Sequence, residues 1–162
     1  MSPTRNRGNP DLLVVDADVF FADVFNRDRD ARGLIEALAE ACFSFATCAK
    51  LRSEYEQFDG HMPLNQLVTL VRARLYAKSV RAREPLPVLP DVALGTWDRK
   101  GDDHLLQLAV AKAAGRIVTR ERRNLSAAER VRKAFGVDVI GSLEARTLSN
   151  RPCPKLEPRR RR

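Results

Sequence analysis

The chain has 162 residues, of which 44% are hydrophobic and 31% are charged, and its formal net charge is +8. This length suits one domain with a single core, and no stretch approaches the roughly 18 apolar residues of a membrane-spanning helix. Because the first residues also lack the charged, apolar and small-residue order of a secretory signal, we expect a cytoplasmic protein with no membrane partner.

Most of the positive charge lies at the two ends of the chain. Residues 151–162 hold six basic residues and one acidic residue, and Arg5 and Arg7 add two positive charges. We therefore expect a flexible basic arm over residues 1–10, a folded domain over 11–150 and a disordered tail rich in proline and arginine over 151–162. Such a tail can hold a polyanion electrostatically, although a merely solvated end is the alternative.

The cysteines predict reduced thiols. Cys42, Cys48 and Cys153 are odd in number and lack the spacing of a metal site. This pattern favours free thiols over a disulfide framework. We expect them to pack within the fold or to have no special role.

Apolar patterns in the first half of the chain predict strands alternating with helices. Residues 11–16, "DLLVVD", form a continuous apolar run that ends in an acid, as in a strand buried on both faces of a parallel sheet. Helical spacing follows over residues 29–41, and residues 42–47, "CFSFAT", alternate as a strand does. Two more helices are predicted over residues 49–58 and from Pro63 to Val80.

The second half continues this alternation after a proline-rich surface loop over residues 83–95, which leads at most to a short strand. A helix is expected from about Asp103 to Ala114, stopped by Gly115 and followed by the strand "RIVT". The next helix, "SAAERVRKAFG", has capping-box spacing at its start and precedes the strand "VDVI". The alternation predicts an α/β fold, a three-layer sandwich with a mostly parallel central sheet.

Acidic residues stand where such a sheet would gather them. Asp16 ends the first strand, and Glu121 follows "IVT". Asp102 and Asp103 open the helix that leads into that strand, while Glu54 lies on the helix after "CFSFAT". Because ligands bind beyond the carboxyl ends of parallel strands, we expect these acids to meet at one edge of the sheet.

Each acid also has a simpler interpretation. Asp16 can start a turn, and Glu54 can face solvent on a helix of mixed character. Asp102 can be only a helix N-cap, since Asp is favoured at the positive end of a helix. Glu121 can belong to an exposed charged loop.

Four motifs in chain order resemble the PIN-domain ribonucleases, especially the toxins of bacterial toxin–antitoxin operons. They are "VVDADVFF", "LRSEYEQF", "GDDHLLQLA" and "IVTRERRNL", and the resemblance extends from about Leu12 to Leu148. It implies Mg²⁺ or Mn²⁺ as cofactor, RNA as substrate, a cognate antitoxin and often a homodimer. The catalytic and metal-binding residues that it implies are Asp16, Glu54, Asp102 and Glu121, and the auxiliary residues are Asp18, Asp103 and Thr119.

The chain departs from the family pattern at two places. Ala17 and Asp18 stand where a polar pair such as Thr-Asn is usual, so a hydroxyl is lost and a carboxylate is gained. Glu121 stands where Asp is common, and its arm is one methylene longer. A metal site tolerates about half an ångström of error, so the longer arm needs a backbone shift or a bridging water.

Gathered carboxylates suit phosphodiester hydrolysis. One or two hard cations stabilise charge on the non-bridging oxygens and generate hydroxide near neutral pH. Such ions prefer carboxylate oxygens and retain several waters, so three or four acids can suffice without His or Cys. Without a cation or a nearby Arg, like-charge repulsion would raise the pKa of some of these acids.

Basic residues near the acids are candidates for RNA binding. Arg120, Arg122 and Arg123 flank Glu121, and guanidinium groups match the geometry of phosphate. A second basic group lies on the long helix and its exit and is either a solvated face or an RNA contact: Arg72, Arg74, Lys78, Arg81 and Arg83. We expect Trp97 to cover the core, with stacking on a base as the alternative, and His104 to be a partly exposed helix residue.

These patterns together predict a metal-dependent endoribonuclease. The first alternative is a catalytically impaired PIN-like module that binds nucleic acid without cleaving it. The second is a phosphoacceptor receiver domain, which also gathers acids at a sheet edge. No strand after "CFSFAT" ends in the central Asp that a receiver requires, so this second alternative is disfavoured.

Overall fold

A computed structural model describes residues 8–25, 27–57, 59 and 66–154 of the chain. The strands within these ranges are β1 (Asn9–Val15), β2 (Ser44–Thr47), β3 (Ser79–Arg81), β4 (Ala114–Val118) and β5 (Asp138–Ile140). The helices are α1 (Ala17–Val24), α2 (Leu34–Glu40), α3 (Ala49–Tyr55), α4 (Gln66–Ala77), α5 (Asp103–Lys112), α6 (Arg122–Ser126), α7 (Ala128–Phe135) and α8 (Ser142–Ser149). None of these helices combines the length and the apolar character that crossing a bilayer requires.

The strands form one five-stranded sheet in the order β3-β2-β1-β4-β5, and every pairing is parallel. Helices flank this sheet, so the expected α/β sandwich with a parallel central sheet is confirmed. From β1 the chain builds outward through β2 and β3, and then returns to the other side of β1 for β4 and β5. The order therefore reverses between β1 and β4, which is where open parallel sheets hold their ligands.

The central strand shows why the chain folds this way. Leu13, Val14 and Val15 have no exposed surface, because β1 has a neighbour on each side and helices over the sheet. Val14 and Val15 pair with Ile117 and Val118 at the carboxyl end of β4, and these two residues also have no exposed surface. The two strands therefore end side by side, and the residues that follow them are brought together.

Four elements were not predicted from the sequence. Helices α1, α6 and α8 lie where no helix was expected, and β3 lies at the end of the predicted long helix. That helix ends at Ala77, because Ser79–Arg81 pairs with β2 instead. The start predicted at Pro63 lies outside the described residues.

Two predicted helix boundaries are wrong. Helix α5 ends at Lys112 with Ala113 in the left-handed conformation (φ 53°), whereas Gly115 lies inside β4. A Cβ atom at Gly115 would stand 2.6 Å from the Asn9 carbonyl oxygen, so the glycine serves the close pairing of β1 with β4. The capping box is also absent, since α7 begins at Ala128 and the Ser126 hydroxyl donates to the Arg122 carbonyl.

Ordered structure extends a few residues beyond the predicted domain on both sides. Strand β1 begins at Asn9, whose N–H donates to the Ala113 carbonyl at 2.7 Å. At the other end, Arg151 pairs with Asp11 at 2.6 Å and covers the ring of Phe43 at 3.6 Å. Residues 1–7 of the predicted arm and 155–162 of the predicted tail lie outside the described residues.

The expectation of reduced thiols is wrong for two of the three cysteines. Cys42 and Cys153 form a disulfide that joins positions 111 residues apart, with their Cα atoms at 5.2 Å. Cys42 lies in the turn between α2 and β2, and Cys153 lies in the segment that follows α8. Cys48 is buried and free, as expected.

Candidate functional site

Asp16 occupies the sheet edge at the reversal of strand order. It follows β1 directly, and its N–H donates to the Val118 carbonyl at 2.9 Å. The side chain is 6% exposed, and its Oδ2 accepts a hydrogen bond from the Thr119 hydroxyl at 2.8 Å. Although Asp16 precedes α1, its carboxylate makes no capping bond to that helix. Thr119 thus orients the carboxylate, which fits the supporting role expected of this residue.

Asp18 lies at the same edge, in the first turn of α1. Both of its carboxylate oxygens accept from the backbone N–H of Arg120, at 3.2 and 3.3 Å. Since Arg120 comes just after β4, this bond joins the residues that follow the two central strands. Asp18 therefore lies close enough to Asp16 for their charges to repel, and its auxiliary role stays a prediction.

Glu54 reaches this edge from α3 and contacts His104 of α5, with its Oε1 against the imidazole Nε2. His104 is 4% exposed, so the expectation of a partly exposed residue is wrong. The Glu54 side chain is 30% exposed. The simpler interpretation of Glu54 as a purely solvent-facing residue therefore does not hold.

Asp102 is held by a buried asparagine that the sequence did not indicate. Its Oδ2 accepts from the Asn124 side-chain N–H at 2.6 Å. The side-chain oxygen of Asn124, Oδ1, accepts from the Asp98 backbone N–H at 3.1 Å. Asn124 belongs to the unpredicted helix α6, which explains why no sequence signal found it. Asp102 precedes α5 but makes no side-chain capping bond. Asp103 instead pairs with Arg99 at 2.9 Å.

The pKa values show that these acids interact. Burial raises the pKa of Asp16 to about 8, and repulsion from Asp18 and Asp102 adds to the effect. The pKa of Asp18 rises to about 6, again chiefly through burial and against the opposing bonds from Arg120. Burial and nearby acids, including Glu54, also raise the pKa of Asp102, against the bond from Asn124. Among the described residues, the basic groups and hydrogen bonds at this edge do not offset the burial and repulsion that raise these pKa values.

Glu121 is not brought into this group. It precedes α6 and caps it, its carboxylate accepting from the Arg123 N–H at 3.4 Å. Its own N–H donates to the Thr119 hydroxyl at 3.1 Å. Among the described residues no hydrogen bond joins the Glu121 side chain to the other candidate acids, and its metal-binding role stays a prediction.

Some of the basic residues expected to bind RNA form ion pairs, and others form none with the described residues. Arg120 pairs with Asp28 at 3.0 Å, whereas Arg122 and Arg123 are exposed. In the second basic group, Arg72 pairs with Asp59 and Arg74 with Glu36, whereas the remaining members are exposed: Lys78, Arg81 and Arg83. Trp97 belongs to the hydrophobic core and is 3% exposed, which confirms its packing role and excludes stacking on a base.

The chemistry of the acids suits a hard cation, but their positions do not define a complete coordination sphere. In the described part of the chain, no three or more His, Cys, Asp or Glu side chains are placed to hold one metal ion. Each acid instead has a protein partner: Thr119, Arg120, His104 or Asn124. The donors are nevertheless carboxylate oxygens, the ligands that Mg²⁺ and Mn²⁺ prefer, and a bound cation would lower the raised pKa values of Asp16, Asp18 and Asp102.

The combination of fold and site is a carboxylate-lined edge at the point where strand order reverses. Open parallel sheets hold their ligands at such a position, and carboxylate oxygens are the ligands that hard cations prefer. In comparisons with known proteins, no family model matches the chain, and no curated protein matches its sequence.

Proposed function

We propose that the protein is a metal-dependent endoribonuclease of PIN type that hydrolyses RNA phosphodiester bonds at this acidic edge. The observation that carries the proposal is the meeting of Asp16, Asp18, Glu54 and Asp102 beyond the central strands, with the pKa of Asp16 raised to about 8. Uncompensated carboxylates destabilise a fold, so their presence favours a site that is completed by a cation.

Asp16 and Asp102 would hold the cation, with Asp18 and Glu54 beside them. When bound, a divalent cation lowers the pKa of a coordinated water and stabilises charge on the phosphate oxygens. The protein's own contribution is orientation: Thr119 fixes the Asp16 carboxylate and Asn124 fixes that of Asp102. The exposed guanidinium groups of Arg122 and Arg123 would bind phosphate groups of the substrate.

Cleavage of a mixed RNA pool with Mn²⁺ or Mg²⁺ tests the proposal. We expect metal-dependent cleavage by the wild-type protein and a loss of at least about a hundredfold in Asp16→Asn and Asp102→Asn, because each removes a charged ligand. Asp138→Asn is a matched control, since this exposed carboxylate lies at the opposite end of the sheet. Cleavage that persists in both site variants, or that is lost equally in the control, would contradict the assignment.

One observation favours the alternative of a module that binds RNA without cleaving it. The described side chains do not place three ligands around one point. In that case the same assay would show RNA binding with no cleavage under either metal. A cognate antitoxin that blocks the edge and a homodimer follow from the resemblance alone and belong to the same proposal, as does the cytoplasmic location expected from the sequence.

A further inference from the structure

Helix α3 presents a fixed arginine on the side opposite Glu54. Its buried side carries Leu51 and Tyr55, and the Tyr55 hydroxyl donates to the Val15 carbonyl. On the side away from Glu54, the Arg52 Nε donates to the Thr47 hydroxyl at 3.0 Å, and its Nη2 donates to the Ser79 hydroxyl at 3.1 Å. The helix thus holds an acid towards the candidate site and a cation away from it.

The positive charge of Arg52 is oriented but not neutralised. Its guanidinium also covers the ring of Tyr76 at 4.2 Å, so its partners are two hydroxyls and an aromatic face. Within the described ranges Arg52 has no ion pair, unlike Arg72 with Asp59 or Arg120 with Asp28. A guanidinium held by neutral groups keeps its charge and its remaining donors for an anion.

An open cavity of about 410 Å³ lies against this arginine. A volume in this range can accommodate a small ligand or one nucleotide of a strand. Arg81, an exposed residue at the end of β3, brings a second guanidinium to the cavity, and Glu56 brings a single carboxylate. Glu56 accepts a hydrogen bond from the Tyr76 hydroxyl at 2.9 Å. The described lining is polar and has a surplus of one positive charge: Ala49, Arg52, Ser53, Glu56, Gln57 and Arg81.

The cavity and the candidate site share the carboxyl edge of the sheet. Arg81 pairs in register with Thr47 at the end of β2, which is the strand next to β1. Strands β3 and β1 are two strand spacings apart, which amounts to about 10 Å. This distance is about the width of an α-helix with its side chains. An extended RNA strand could therefore pass over α3 and place one phosphate at each site.

We propose that this cavity is a phosphate-binding subsite for the RNA strand, in which Arg52 and Arg81 bind a backbone phosphate on the β3 side of the cleaved bond. The identity of the strand rests on the proposed function. The binding of a phosphate group by two guanidinium groups depends only on Arg52 and Arg81, which line the cavity.

Binding of a fluorescein-labelled single-stranded RNA, measured by anisotropy in EDTA so that cleavage is prevented, tests this subsite. We expect Arg52→Gln and Arg81→Gln each to weaken binding by about tenfold, and the salt slope to fall by about 0.7 for each lost phosphate contact. Arg74→Gln is the matched control, because that guanidinium is already paired with Glu36, and we expect less than a twofold change. Glu56→Gln should strengthen binding, since it removes the only described carboxylate of the lining.

Arg81→Gln keeps the test valid if Arg52→Gln fails to fold, because Arg81 is exposed and makes no ion pair among the described residues. Unchanged affinity in a folded Arg81→Gln would overturn the proposal. Competition distinguishes the source of the phosphate: if inorganic phosphate or a nucleoside monophosphate displaces RNA at equal concentration of phosphate groups, the cavity is a site for a free anion and the proposal fails.

The subsite proposal and the nuclease proposal can be contradicted independently of each other. Binding that depends on Arg52 and Arg81 without cleavage under any metal would support the subsite and contradict the nuclease. Metal-dependent cleavage with unchanged RNA binding in the Arg52 and Arg81 variants would support the nuclease and contradict the subsite.

Discussion

Asp16 is the residue in which stability and the proposed function oppose each other. Its pKa is about 8 in the native protein, against an ordinary value of 3.8. Between these values the folded state keeps a proton that the unfolded chain releases. Its contribution to stability is therefore fully present below about pH 4 and is lost as the pH rises through about 8. Asp18, with a pKa of about 6, acts in the same direction over a narrower range.

Replacing Asp16 with Asn should therefore stabilise the metal-free protein at alkaline pH while removing activity. Thermal unfolding in EDTA from pH 5 to pH 9 is the measurement. We expect the melting temperature of the wild type to fall across this range and that of Asp16→Asn to fall less, so that the variant is the more stable above pH 8. A wild-type melting temperature that rises with pH would contradict this prediction, because it would show that ionisation of Asp16 does not lower the stability of the folded protein.

Most of the candidate site could be predicted at the residue scale. Asp16, Glu54 and Asp102 were found because a strand end, a helix after a strand and a helix start are visible in local patterns. The roles of Asp18 and Glu121 are harder to predict, because spacing does not show that Arg120 N–H binds the first carboxylate and that the second caps α6. Asn124 was missed, since a buried polar residue that binds across 22 positions leaves no periodic signal.

At the scale of elements, long and regular hydrophobic patterns predict the helices and strands correctly, whereas short elements and elements without such a pattern are missed. The buried strand β1 is a continuous apolar run, whereas α1 buries residues around most of its circumference and shows no amphipathic stripe. Strand β3 has only three residues and is defined by its pairing with β2. Tertiary contacts of this kind override local propensity.

The junction between α5 and β4 offers a test of these boundaries. Gly115→Ala should destabilise the protein by about 1–3 kcal/mol, because the added Cβ would overlap the backbone of β1. Ala113→Gly should stabilise it by about 1 kcal/mol, because Ala113 has the left-handed conformation that favours glycine. Urea unfolding measures both changes. If Gly115 served only to stop the helix, its replacement would cost far less.

At the scale of the whole molecule, the segment that follows α8 is bonded to the turn before β2. The disulfide between Cys42 and Cys153 closes a loop over 111 positions, and Arg151 adds an ion pair and an aromatic contact beside it. Long loops give a cross-link its largest effect on the unfolded chain.

Cys153→Ser should therefore lower the free energy of unfolding by about 2–4 kcal/mol under non-reducing conditions. Urea unfolding with and without dithiothreitol is the measurement. The reductant should bring the wild type to the level of the variant and leave the variant unchanged. An equal response of both proteins to the reductant would show that the cysteines are not bonded in solution.

The sequence by itself determined the α/β class, the buried central strand and the placement of acids at strand ends and helix starts, because these depend on local periodicity and on the polarity of parallel strands. Only the tertiary structure decided which acids meet, how Arg52 and Arg81 come to line one cavity, and that Cys42 reaches Cys153. These contacts join residues far apart in the chain, and the packing of helices against the sheet sets which of them form.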